Sequence, residues 1–348
     1  MRLRVLCFHL HRWLGLLFGL LWWVVGLSGV LLVFQDELEA LRFVTKTGVY
    51  GTPKLSPEEA LLRAFERHPR PSGSFTLILP RYGFEPYRVE FLTSDIMAEV
   101  TEPLVLWLDP NRGTLLKEEP LSQLPLRGWV YRIHSRFGFG DGAKPFVALS
   151  GMALLLTLFL GLYTTWPVGL KFRRLGSSAL HRLAGAMAFP LLLFSILTGL
   201  YLALPKTWLK QLYPEKVEIS LAVPVEVVGQ ARPLRELRQR AEEALSHCQL
   251  RQIQLPPKEA VRFDFACPGF PDSPNGWTKL WIDPFQARVV AQKRPRAPDL
   301  KTWLALFGVD LHSGRFFGPL GRGAVALTGM VMALLATTGL WRQLRRKL

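Results

Sequence analysis

Four histidines stand where the chain could hold a metal inside a membrane. His11 and His181 each open a long apolar stretch, in His11-Arg-Trp-Leu-Gly and His181-Arg-Leu-Ala-Gly; His134 and His312 each precede another, in His134-Ser-Arg-Phe-Gly-Phe-Gly and His312-Ser-Gly-Arg-Phe-Phe-Gly. Ionisable side chains at membrane depth are costly and are kept mostly for function. Two imidazoles facing one another are the axial ligands that an iron porphyrin takes, and the matching motifs pair His11 with His181 and His134 with His312. Arg12 and Arg182 directly follow the first pair, and Arg136 and Arg315 follow the second by two and three residues. Guanidinium groups suit the two propionates of such a macrocycle. The plainer readings are interfacial histidines bonded to lipid or backbone, and arginines reaching to lipid phosphate.

The stretch that positions His11 is Phe8–Phe34, with no charged side chain from Leu14 to Phe34. About twenty apolar residues at 1.5 Å rise cover a hydrocarbon layer of roughly 30 Å. Gly15, Gly19, Trp22, Gly26 and Gly29 recur at three- and four-residue steps below His11, and Gly185 stands behind His181 where Gly15 stands behind His11. A flat ligand could lie in such a groove; the alternative is that small residues let helices pack closely.

Phe146–Trp166, Leu183–Leu204 and Leu320–Trp341 match the first run, so four transmembrane helices are expected. The first run is longer than the apolar region of a secretory signal and ends in LVFQDELEA without a small-x-small cleavage site, so it is read as retained. Every Asp and Glu lies within Asp36–Asp141 or Glu215–Asp310, whereas the N-terminus (Arg2, Arg4, Arg12), the connection Lys171, Arg173, Arg174 and the tail Arg342, Arg345, Arg346, Lys347 are basic without acids. The positive-inside rule makes those three sites cytoplasmic and the two mixed blocks external, periplasmic in a Gram-negative cell. Much of the net charge of +16 is therefore topology and anionic lipid, not nucleic-acid binding.

The order of landmarks repeats at an offset of about 170 to 178 residues, Leu106-Trp-Leu-Asp-Pro answering Leu280-Trp-Ile-Asp-Pro between the histidine motifs. The expected fold is therefore membrane α-helical, with four spans in two parallel repeats and two external α+β domains. The spans are 1–35, 142–168, 183–205 and 312–341; the external domains are 36–141 and 206–311; 169–182 and 342–348 are cytoplasmic. Ser56-Pro-Glu-Glu is a capping box opening an amphipathic helix to about His68, closed by Pro69 and Pro71. Strands are expected at Phe75–Leu79, Tyr87–Leu92 and Leu104–Leu108, then a helix at Leu234–His247 and strands at Gln252–Leu255, Val261–Phe265 and Lys279–Ile282. Neither block carries a nucleophile with a base, paired catalytic carboxylates or a phosphate-cradling loop, and His68 and His247 read as helix-end residues. Cys248 and Cys267 lie in one external block, where a disulfide is permitted but not dictated; Cys7 sits at the membrane edge.

The run HRWLGLLFGLLWWVVGLSGVLLVFQDEL, the Leu-Trp-Leu-Asp-Pro-Asn-Arg-Gly-Thr-Leu segment and the His134-Ser and His312-Ser segments resemble the PepSY-associated transmembrane family over nearly the whole chain. The resemblance implies external PepSY-like domains and a bacterial inner-membrane protein with a b-type haem reductase activity toward periplasmic ferric siderophores, as in some members. His11, His134, His181 and His312 would ligate two haem b groups, His11/His181 on the cytoplasmic side and His134/His312 on the periplasmic side. The expected activity is transmembrane one-electron transfer from a cytoplasmic or quinol donor, with Trp22, Trp23, Tyr163 and Trp166 either lining the path or belonging to the interfacial belt. The external blocks diverge from a protease-inhibitory PepSY domain, and that role is not carried over. The rival class is a non-enzymatic accessory or signalling protein of iron uptake whose external domains bind peptide or protein. A single haem on His9 and His11 is disfavoured, because residues two apart point away from each other on a helix.

Overall fold

The computed structural model describes residues 2–44, 53–68, 74–81, 85–92, 103–165, 176–209, 212, 225, 229–256, 259–271, 273, 276–295 and 299–344. Trp166, Lys171, Arg173, Arg174, Arg345, Arg346, Lys347, Pro69 and Pro71 lie outside the described residues. In chain order the helices are α1 (Arg2–Val33), α2 (Gln35–Leu41), α3 (Pro57–Arg67), α4 (Tyr131–Arg136), α5 (Lys144–Thr165), α6 (Ser177–Ala203), α7 (Leu234–Ala244), α8 (Leu300–His312) and α9 (Gly318–Leu344). The strands are β1 (Phe75–Ile78), β2 (Tyr87–Leu92), β3 (Pro103–Leu108), β4 (Leu115–Pro120), β5 (Gln249–Leu255), β6 (Val261–Ala266), β7 (Thr278–Ile282) and β8 (Val289–Lys293). They divide into two compact units, Met1–Phe34 with Trp129–Glu215 and Pro298–Leu348, and Gln35–Gly128 with Lys216–Ala297.

The first unit is a helical bundle. α1, α5, α6 and the helix over α9 are each long and apolar enough to cross a membrane. α1 packs on α5 and α9, and α6 packs on the same two, which closes a four-helix ring. At the α1–α9 crossing a Cβ on Gly26 would stand 2.7 Å from the Gly329 carbonyl oxygen, so only glycine permits this approach. Leu192, Ile196 and Leu200 of α6 are buried against Leu154, Leu158 and Leu335, whereas Leu17, Leu20, Phe146 and Met187 point outward. An apolar outer surface of this kind suits hydrocarbon rather than water. Trp129–Asp141 and the stretch carrying α8 group with these helices rather than with the sheet, although the sequence reading placed them in the external blocks.

The second unit is one eight-stranded antiparallel sheet in the order β4-β3-β2-β1-β5-β6-β7-β8. The two blocks read from the sequence as separate domains therefore share a continuous sheet. β1 joins β5 antiparallel, with Thr76 opposite Gln254 and Ile78 opposite Gln252. Alternation sends Leu77, Val89, Leu106, Ile253, Phe263 and Leu280 to one face, where α3 (Ala60, Leu61, Ala64) and α7 (Leu237, Ala241) cover them. α3 begins as expected: Glu59 N–H donates to Ser56 Oγ and Ser56 N–H to the Glu59 carboxylate.

The two halves of the sheet repeat each other in detail. Arg88 pairs with Glu90 at 2.9 Å and lies opposite Trp107; Arg262 pairs with Asp264 at 3.0 Å and lies opposite Trp281. Asp109 Oδ1 accepts from the N–H groups of Asn111 and Arg112, and Asp283 Oδ1 from those of Phe285 and Gln286, which is the turn that both Asp-Pro motifs encode. Cys248 and Cys267 form a disulfide across the open end of the β5–β6 hairpin. In the first half, Arg127 bonds the carboxylates of Asp36 and Glu39, and Arg42 bonds that of Glu119 at 3.0 Å.

Candidate functional site

The bundle brings the four membrane histidines together in two pairs. The ring centres of His11 and His181 are 6.2 Å apart with planes at 82°, and those of His134 and His312 are 6.0 Å apart at 44°. A six-coordinate iron takes one imidazole nitrogen on each side at about 2.0–2.1 Å, which puts two axial ring centres roughly 6.3 Å apart. Both pairs match that spacing. His11 and the Gly29 position beside His134 are eighteen residues apart on α1, or roughly 27 Å along its axis at 1.5 Å per residue. The pairs therefore lie at opposite ends of one helical span.

Hydrogen bonds fix which ring nitrogen each histidine presents. His11 Nδ1 donates to the Thr157 carbonyl at 2.9 Å, and His134 Nδ1 to the Val25 carbonyl at 3.0 Å. His134 Nδ1 is also 3.2 Å from Ser28 Oγ, His181 Nδ1 is 2.8 Å from Thr338 Oγ1, and His312 Nδ1 is 3.1 Å from Thr198 Oγ1. Each of these hydroxyls already donates its hydrogen to a carbonyl four residues earlier, Ser28 to Val24, Thr338 to Leu334 and Thr198 to Phe194. They are left as acceptors. All four imidazoles thus carry hydrogen on Nδ1 and keep the Nε2 lone pair for a metal, the outer-shell arrangement usual for ligating histidines.

A cavity of about 480 Å3 opens around the first pair, within the roughly 300–1,000 Å3 of small-molecule sites. Its lining includes His11, Arg12, Gly15, Gly19, Trp22, His181, Arg182 and Gly185. A Cβ on Gly15 would meet nothing within 4 Å, so this glycine borders open space. Leu154, Leu158, Leu192 and Ile196 make one part of the wall apolar, while Arg12, Arg182, Arg342 and Gln343 make another part polar, with no acid in the lining among the described residues. Arg12 Nε and Gln343 Oε1 are buried without a hydrogen-bond partner. An amphipathic flat ligand with an anionic edge fits this lining, and the residues present fit a haem.

Arg342 and Gln343 were missed as site residues because only the bundle brings the end of α9 to the His11 motif. Arg136 closes α4 and Arg315 begins the short turn before α9; neither lines this cavity. Beside Arg315, burial pushes the Asp310 carboxyl up to about 6 against the pull of that guanidinium. Trp22 Nε1 donates to the Ser150 carbonyl at 3.1 Å, whereas Trp23 and Tyr163 are exposed, Tyr163 beneath Arg4. His9 is exposed, packs its ring edge on Phe8 and is not among the residues lining the cavity. His68 caps α3 and bonds Glu118 at 3.1 Å. His247 lies near Cys248 and Cys267, whose sulfurs are bonded to each other and so are not thiolate ligands.

Four helices of membrane-spanning length, an α+β sheet unit and two facing pairs of half-buried histidines define a polytopic membrane protein. The PepSY-associated TM region family model matches residues 8–346, and the chain belongs to that family. No curated protein matches the chain.

Proposed function

We propose that the protein is a di-haem b membrane reductase that moves single electrons across a bacterial inner membrane to an external ferric acceptor, of which siderophore-bound iron is the best candidate. The observation that carries this reading is the double match of imidazole spacing to bis-axial ligation, at opposite ends of the same span. His11 and His181 would hold one haem and His134 and His312 the other. Bound haem supplies one-electron exchange between ferric and ferrous iron. The chain's own groups do the rest. Acceptors on neighbouring helices keep Nδ1 protonated, so that Nε2 is presented to the iron. The glycines of α1 and α6 leave room for a ring edge, Arg12, Arg182 and Arg342 offset propionate charge, and the leucine wall excludes water. Reduction of ferric iron weakens its hold on hard oxygen ligands, which suits iron release.

The repeats, in this reading, are parallel copies, each supplying one histidine to each pair, and the two external blocks are PepSY-like halves of one sheet. The basic ends and connection lie in the cytoplasm and the sheet in the periplasm. The test is reduction by protein in sealed vesicles, with reductant inside, a ferric hydroxamate outside and a ferrous chelator as reporter. Wild type is expected to reduce the chelate at least tenfold faster than His312→Ala or His11→Ala; equal rates in all three exclude the reading.

A further inference from the structure

Each of the four histidine rings lies against a glycine of another helix. His11 faces Gly161 of α5, His134 faces Gly29 of α1, His312 faces Gly199 of α6 and His181 faces Gly339 of α9. In every case the ring atom nearest an added Cβ is Cε1, the carbon between Nδ1 and Nε2, at 3.0 Å for Gly161, Gly29 and Gly199 and 3.7 Å for Gly339. At His11 and His134, Nδ1 donates to the main-chain carbonyl of the residue four before that glycine, Thr157 and Val25, and at His181 and His312 it meets the hydroxyl of the threonine directly before the glycine, Thr338 and Thr198. The carbonyl contact beside Gly161 and Gly29 has a physical cause. In an α-helix the carbonyl of residue i−4 accepts from the N–H of residue i, and the side chain at i covers its remaining lone pair. Glycine at i uncovers that lone pair and admits the imidazole edge. The spacing recurs with the histidines themselves: His11 to His181 and Gly29 to Gly199 are both 170 residues apart, and His134 to His312 and Gly161 to Gly339 are both 178 apart.

We infer that Gly161, Gly29, Gly199 and Gly339 are positioning residues, each the seat on which one imidazole is held in a set plane and tautomer. The inference deepens the haem reading, since it makes these seats the determinants of axial-ligand orientation at each centre. A methyl group at Gly161, Gly29 or Gly199 forces the ring to move by a few tenths of an ångström or to give up its Nδ1 hydrogen bond, whereas one at Gly339 is in ordinary contact. Alanine is the better helix former, so the substitution does not weaken the seat helix itself.

The experiment compares wild type with Gly161→Ala, Gly29→Ala, Gly199→Ala and Gly339→Ala as full-length protein in detergent. Ferric low-spin electron paramagnetic resonance, haem content and solid-state 15N spectra of histidine-labelled protein are recorded for each. Gly161→Ala is expected to shift the resonance of the His11/His181 centre alone and to weaken haem retention there by about tenfold. Gly29→Ala and Gly199→Ala shift the other centre alone, and Gly339→Ala has the smallest effect of the four. Unchanged resonances at full haem content in all four variants overturn the inference. A wild type without haem removes the reductase reading instead, and the nitrogen spectra then decide the seats. Four Nδ1-protonated rings, one perturbed by Gly161→Ala, uphold them; Nε2-protonated rings, or spectra blind to the alanines, refute them.

Discussion

The two histidine pairs share residue type and spacing but differ in how their rings are turned and what surrounds them. In the first pair both histidines belong to spanning helices, the rings are nearly perpendicular at 82°, and Arg12, Arg182 and Arg342 border an adjoining cavity. In the second pair both histidines sit at the ends of helices outside the spans, the rings are at 44°, and both Nδ1 atoms meet a serine or threonine hydroxyl. Axial geometry and outer-shell hydrogen bonding are levers on a haem centre. The difference therefore teaches that an internally repeated chain need not build two equivalent centres: like residues held at unlike angles become unlike sites.

Removing a ligand breaks the comparison most severely. His181→Ala is expected to lower haem content from two groups to one and to abolish the resonance of the perpendicular pair, while His134→Ala spares that signal and abolishes the other, as read by haem extraction and spin resonance. Perpendicular axial planes leave two iron d orbitals nearly equal in energy, so the His11/His181 signal should be the more anisotropic of the two. A wild-type spectrum with one signal type would erase the distinction.

The sheet unit offers predictions that do not touch the pairs. Cys248→Ser with Cys267→Ser should destabilise that unit by about 3 kcal/mol, the value for a loop of this length, in denaturant unfolding, and leave the haem resonances as they are. A smaller effect belongs to Glu119. Burial opposes its charge, but bonds from Arg42 and Lys117 prevail and hold its pKa below the ordinary 4.5. A carboxylate depressed in the fold contributes stability that is full above its unfolded pKa and disappears as pH falls through the folded value. Acid unfolding of wild type below pH 4.5 should accordingly be steeper than that of Glu119→Gln, which should cost about 1–2 kcal/mol at neutral pH; parallel curves would show that Glu119 carries no such linkage.

Much of the bundle was legible because its signal is local. Apolar runs of membrane length gave four helices, two of which begin six residues earlier than expected, at Arg2 and Ser177, and Ser56 and Glu59 formed the box that their spacing announces. The pairing of His11 with His181 followed from repeated motifs. What escaped was set by tertiary contact. β4 and β8 are the sheet's edge strands, and LLKEEP and VVAQK carry the charges and proline that protect an edge while blurring the alternation that marks a strand. The β1–β5 junction links residues about 175 positions apart, which no local pattern reports. α4 is six residues long, too short to show a helical period, yet it carries His134. Gly29 was visible in the α1 groove, but its role as a floor for His134, and the matching roles of Gly161, Gly199 and Gly339, depend on which helix lies opposite.

The most direct test of the account is the haem-to-protein ratio of the purified full-length chain, determined by pyridine haemochrome against amino-acid analysis after expression with ample iron and haem precursor. Paired imidazoles at both ends of the bundle predict two b-type haems per chain. A colourless protein, or a haem content unaffected when His11 and His312 are both replaced by alanine, would contradict it.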